Sequence, residues 1–358
     1  TVNNLTEAAT TYVGSSSNED KFKALTFTGS GGSQNITTGF RPALVWIKNP
    51  KSGYTHQLGN IISGGTKRLH SSNTNAEATG SNWITGFNAT TFSVGSDSDA
   101  NESGTTMSAW VWGAGDSSSA NTAGTINTTS QYVDTAAGFS VSQYTGNGTS
   151  GATVGHGLGA DVEVIIVKNL DSTQQWQVWS KHWGNDSYNM QLSTSDGWDT
   201  GQNVKHKSGS TDSLVELSDG SRVNNNNEKH VMYCWASKSG YSKMDTYSGT
   251  GSDQTIELGF APVFVLIKRV NQSGDWLLYD NARGFINHLE ANTEDATESD
   301  TSVTRTGTGF QVTGSATDNN ASGSTYFYMA FGGAQSTGST EGVDVLNDTP
   351  TNYEDSSG

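Results

Sequence analysis

The sequence predicts an all-β chain of three tandem antiparallel β-sandwiches, jelly-roll or lectin-like in kind, and three observations predict it. A strand-sized apolar run ending in lysine occurs three times at one spacing. An asparagine-bearing turn leading into an aromatic strand also occurs three times at one spacing. The composition suits strands and turns: Gly is 43 of 358 residues, Pro only 4, and charged residues only 15%, so Ser, Thr and Asn carry the polarity.

The lysine-ended runs are Gly39 to Asn49, Gly159 to Asn169 and Gly259 to Arg269, with the glycine nine positions before Lys48, Lys168 or Lys268. Their centres are β-branched or aromatic with few polar breaks, as expected of strands buried on both faces. Upstream lie Phe27-Thr28-Gly29, Tyr144 to Gly148 and Tyr247 to Gly251, each read as a strand ending in a glycine turn. Downstream, Trp176 to Trp179 and Trp276 to Tyr279 match one another, with Tyr54-Thr55-His56 a weaker counterpart. Each unit closes on an aromatic strand whose last ring, Trp112, Trp235 or Phe331, follows Asn101, Asn224 or Asn320 by eleven positions. Asn tolerates the left-handed turn conformation, and flat rings fit a pleated surface. Helical character is confined to Glu77-Ala78 and Phe285 to Ala291.

These anchors divide the chain into an N-terminal arm (1–21), a first sandwich (22–113), a linker (114–138), a second sandwich (139–236), a third (237–335) and a polar C-terminal tail (336–358). The six recurring residues, Lys48, Lys168, Lys268, Asn101, Asn224 and Asn320, are expected to be structural anchors. The lysines would snorkel to water or bond a turn carbonyl.

A formal charge of −16 argues against nucleic-acid partners, which need a basic footprint, and against anionic membrane surfaces. No apolar run reaches 18 residues, so membrane insertion is not expected, and Thr1 to Asp20 has no signal-peptide pattern. The single Cys234 excludes an intramolecular disulfide and, within an aromatic strand, reads as an inert thiol.

Motifs with catalytic or ligand associations fail on context. Gly146 to Gly151 has dinucleotide-fingerprint letters, but Ala152 to Gly157 is no helix, so a β-turn is expected. Asp97-Ser98-Asp99 opens like a calcium loop, yet the sixth and twelfth positions are Glu102 and Ser108, so an EF-hand fails; an Asx-type turn is expected, with a non-EF site, aligned with Asp318-Asn319-Asn320, as the alternative. None of the seven histidines pairs at zinc-ligand spacing, so no metal and no cofactor are expected. Asp275, Asp280 and Glu290 could supply a glycosidase pair only if the fold set their separation, and no enzyme is expected. Trp176 and Trp179 read as core or contact residues. Trp183 and Trp198, with Asn185 and Tyr188, are the candidate exposed sugar contacts, because rings stack on sugar faces while amides pair with hydroxyls.

The blocks Gly39 to Asn49, Tyr144 to Gly148 and Asn320 to Phe331, with the segment Asn347 to Tyr353, resemble repeat-containing virion proteins of marine tailed bacteriophages, cyanophages among them. The resemblance implies a non-enzymatic virion component on the particle exterior, as tail fibre, tail part or capsid decoration. Other virion proteins, further copies of itself and host-surface glycans would be its partners. The alternative is an extracellular array of carbohydrate-binding, lectin-like modules.

Overall fold

The computed structural model describes residues 21–201, 203–207 and 213–333. The expected arm, apart from Lys21, and the expected tail lie outside the described residues. Among the described residues the regular structure is nearly all β, arranged in antiparallel sheets.

Residues 22–112 form a four-stranded sheet in the order Phe22–Thr28, Thr106–Trp112, Leu44–Lys48, Gln57–Asn60. A three-stranded sheet, Gln34–Thr37, Thr91–Val94, Ile84–Phe87, covers one of its faces. The same order recurs in Phe139–Thr145, Lys229–Trp235, Val164–Asn169, Gln177–Ser180, covered by Ala152–Gly155, Leu214–Leu217, Val204–His206. It recurs again in Ser242–Ser248, Thr325–Phe331, Phe264–Arg269, Trp276–Asp280, covered by Gln254–Glu257, Gly309–Val312, Val303–Arg305.

Strand alternation explains why the lysine-ended runs carry no polar breaks. Val45 and Ile47 point into the first unit's own sandwich, while Leu44 and Trp46 point the other way. Ile165 and Val167 oppose Val164 and Ile166, and Val265 and Ile267 oppose Phe264 and Leu266, in the same manner. The outward members of all three units meet in one shared apolar core. Each large sheet is therefore buried on both faces, and the molecule has three sandwich cores around a fourth, common one.

Two expectations are corrected. The linker is not a linker: Thr128–Asp134 adds an edge strand to the second unit by pairing with Phe139–Thr145. Buried Gln131 fixes it by donating to Ser142 Oγ (2.7 Å) and Gly155 O (2.9 Å), and Ile126 is buried against the second sandwich. Nor do the two short segments form helix. Ala78–Thr79 and Asn287–Glu290 are strands, the latter following a single 3-10 turn at Asn281–Arg283.

Candidate functional site

The recurring lysines lie where units meet. Lys48, Lys168 and Lys268 are fully buried, and burial pushes each ammonium group down to about 8, offset in Lys48 by Asp99, Glu294 and Asp295. They do not snorkel to water. Lys168 donates to Asn169 O (2.9 Å) and, in the first unit, to Thr74 O (3.2 Å). Lys268 donates to Gly274 O (2.6 Å) and, in the second unit, to Ser195 O (2.9 Å). Lys48 donates to Asn49 O (2.6 Å) and Lys51 O (3.2 Å). The carbonyls satisfy the ammonium groups that burial removes from water.

Around these lysines one contact set is repeated. The second unit reaches the first through Trp176 Nε1 to His70 O (2.8 Å), Gln174 N to Thr74 O and, in return, Glu77 N to Leu170 O (both 2.9 Å). The third reaches the second through Trp276 Nε1 to Gln191 O (3.1 Å), Gly274 N to Ser195 O and, in return, Trp198 N to Val270 O (both 2.9 Å). The first reaches the third through His56 Nε2 to Glu290 O (3.0 Å), Gly53 N to Glu294 O and, in return, Thr297 N to Pro50 O (both 2.8 Å). The three contacts close a ring. The acceptors are backbone carbonyls of loops, which leave no mark in a sequence; Trp176 and Trp276 at matched positions were the available signal.

In the seam that the first unit makes with the third, His56 stands where the others have tryptophan. Trp46 Nε1 donates to its Nδ1 (2.8 Å), so Nδ1 accepts and Nε2 carries the proton given to Glu290 O. Burial holds His56 well below the usual imidazole range and pushes His230 down to about 4. The unfolded chain takes up protons at these groups near pH 6.5 while the native chain does not. Their contribution is thus fully present above that pH and declines as pH falls toward 4. For His230 the loss is about 3 kcal/mol. It is measurable as a fall in urea midpoint from pH 7 to pH 4 that is smaller in His230→Phe; equal falls in both proteins would refute it.

The asparagines form a second repeated device. Asn101 accepts from Ser30 N (2.8 Å) and donates to Gly95 O (2.6 Å). Asn224 accepts from Asn147 N (2.9 Å) and donates to Thr149 O (2.9 Å). Asn320 accepts from Thr250 N (3.1 Å) and donates to Ser252 O and Gly314 O (2.8 and 2.7 Å). Each clamps the glycine turn of its unit from full burial. At Gly29, Gly146 and Gly249 a Cβ would lie 2.0, 2.2 and 2.2 Å from a facing carbonyl oxygen, so no side chain fits there.

The four sugar candidates are not brought together as an exposed set. Trp183 is buried, edge-on to Phe327 with centroids 5.7 Å apart, and so offers no face to a ligand; the expectation of an exposed ring fails there. Trp198 and Tyr188 stack on each other at 4.4 Å and are half-buried. Asn185 is exposed, and its side chain accepts from Ser187 N. Trp176 and Trp179 are both buried.

The remaining candidates are held in structural contacts. Asp97 caps the short helix Ser98–Asn101 by accepting from Asp99 N. Asp280 pairs with Arg283, Asp275 accepts from Asn292 and Glu290 faces His288, three separate engagements. Cys234 is buried, and burial pushes its thiol far up. At the centre of the ring lies an apolar cavity of about 30 Å³, lined by Trp46, Trp112, Trp235 and Phe264 among others. It has volume for roughly one water and no polar partner for it, so it is a packing defect rather than a ligand site.

No curated protein and no solved structure matches this chain. Residues 17–334, which include all three sandwiches, match DUF7483, a domain of unknown function, and the chain therefore belongs to the DUF7483 family.

Proposed function

We propose that the protein is a non-enzymatic structural component of a tailed-phage virion, carried on the particle exterior as a tail-fibre, tail or capsid-decorating part. The observation that carries this reading is the closed ring. We read its units as copies of one sandwich. Their large aromatic side chains are turned inward to hold the copies together, and Ile286 is the large apolar side chain left exposed among the described residues. Asp97 caps a turn, and Asp280, Asp275 and Glu290 are engaged by Arg283, Asn292 and His288. A closed body with a polar, net acidic surface suits multi-copy display, where many weak contacts add up to firm attachment. The virion assignment itself rests on the sequence resemblance. Further copies, other virion proteins and host glycans would meet the outer surfaces.

Mass spectrometry of purified particles from a phage or prophage encoding this chain, with immunogold labelling, tests the reading. Several copies per particle and gold on the exterior are expected; intact particles lacking the protein would overturn it. The carbohydrate-binding alternative is carried by the Tyr188–Trp198 stack alone. A glycan-array signal abolished by Trp198→Ala, with no protein in particles, would favour it.

A further inference from the structure

The loop that closes the ring springs from a hairpin of the third unit, Asn287–Glu290 paired with Glu298–Ser299. Residues 291–297 of that loop grip the first unit through Gly53 N to Glu294 O, Thr297 N to Pro50 O and Ser71 Oγ to Ala291 O (2.6 Å). What holds the hairpin base differs among the units. In the second, the corresponding pair is Gln191 and Asp199, joined directly by Gln191 Nε2 to Asp199 Oδ2 (2.9 Å). In the first, the corresponding pair is His70 and Ala78, and Ala78, which Arg68 faces, carries no charge. In the third, both positions are acids, Glu290 and Glu298, which repel unless a cation, either the protonated His288 ring or a bound ion, stands between them.

His288 sits directly across from Glu298 and is nine-tenths buried. Its Nδ1 lies 3.3 Å from Asp300 Oδ2, and Asp300 is itself fixed by the Tyr279 hydroxyl and by Ser302 N (2.7 Å). This arrangement turns Nε2 toward the two glutamates. Nε2 is 3.9 Å from Glu290 Oε1 and 3.8 Å from Glu298 Oε2, too far to hydrogen-bond either. The three donor atoms all lie within 4.8 Å of one another. Ligands about 2.0–2.2 Å from one tetrahedral ion stand roughly 3.4 Å apart, so closure of about half an ångström at the two His288 contacts and of up to about 1.4 Å between the carboxylates would seat one. Glu298, with its side chain 60% exposed, is free to supply that movement. A metal-bound histidine usually has a carboxylate behind its ring as outer support, and Asp300 stands in that place at ion-pair distance, without a hydrogen bond to Nδ1.

We propose that His288 Nε2, Glu290 and Glu298 bind a divalent transition-metal ion of the zinc type, which ties the base of the hairpin that closes the third unit onto the first. The imidazole and two carboxylates supply three ligands and water the fourth. The ion replaces, between two like charges, the direct bond that Gln191 and Asp199 make in the second unit.

The test uses the full chain without a polyhistidine tag, stripped with chelator and titrated with zinc chloride by calorimetry, with thermal unfolding in parallel. One equivalent is expected to bind and to raise the unfolding midpoint. Glu298→Gln, a change at an exposed side chain that preserves shape, is expected to weaken binding tenfold or more and to abolish the midpoint shift. Absence of stoichiometric binding by the unaltered protein overturns the proposal and leaves His288 as a buried cation. Equal affinity in Glu298→Gln overturns it too, by locating the ion elsewhere, for instance at His182 between Glu163 and Asp245.

Discussion

Trp112→Ala is expected to lower the unfolding free energy by about 3–5 kcal/mol and to do so for the whole ring. Trp112 is almost fully buried, and its ring meets partners from every unit. Phe22 of its own unit lies at 4.9 Å, Trp235 of the second at 6.1 Å, and Phe264 and Phe331 of the third at 5.9 and 5.7 Å. Truncation removes the transfer energy of an indole and enlarges a cavity of about 30 Å³ that the surrounding sheets cannot fill, because each is held by its own sandwich. Denaturant unfolding followed by near-ultraviolet circular dichroism would show one earlier transition. A loss under about 1 kcal/mol, or a separate early step confined to one unit, would show that the shared core is not what couples the units.

Asp280→Ala is expected to cost a similar amount, about 3–5 kcal/mol, by another route. Asp280 is buried at the seam between the third and first units. It accepts from Arg283 Nε (2.7 Å), from Arg283 N at the start of a 3-10 turn (2.9 Å) and from Trp110 Nε1 of the first unit (3.0 Å). Alanine would strand a guanidinium with only 9% of its side chain exposed, uncap the turn and leave an indole N–H unpaired. Asp280→Asn keeps an acceptor but not the charge, and should fall between alanine and the parent. Urea midpoints of the three proteins decide the matter; an alanine variant within about 1 kcal/mol of the parent would mean that Arg283 finds another partner.

Much of this architecture was legible because it is written in side chains. The unbroken run Val164 to Val167 announces a strand covered on both sides, and the fixed interval between Asn101, Asn224 or Asn320 and an aromatic residue marks a turn that needs one particular amide. What was illegible is written in backbone or in geometry. Thr74 O, Ser195 O and Glu294 O receive the neighbouring units, yet any residue type offers a carbonyl. Spacing shows that a ring is present at Trp183, not that the 3-10 turn carrying it packs against Phe327 of the third unit. Thr128–Asp134 was hidden by its polar composition, although Gln131 supplies the bonds an edge strand needs. His288, Glu290 and Glu298 fit no ligand spacing, since a cross-strand pair rather than the chain interval brings them together. Comparing Gln191 and Asp199 with the two glutamates was the one route to them.

Covalent continuity sets the ring apart from a trimer of separate subunits. Its parts meet at an effective concentration fixed by the connecting peptides, so dilution cannot dissociate them. A homotrimer must also place the same residue at every junction. Here each junction is free to diverge alone, so His56 can replace an indole at one of them and an acidic pair can replace Gln191 and Asp199 at the base of one loop, without imposing either change on the other two.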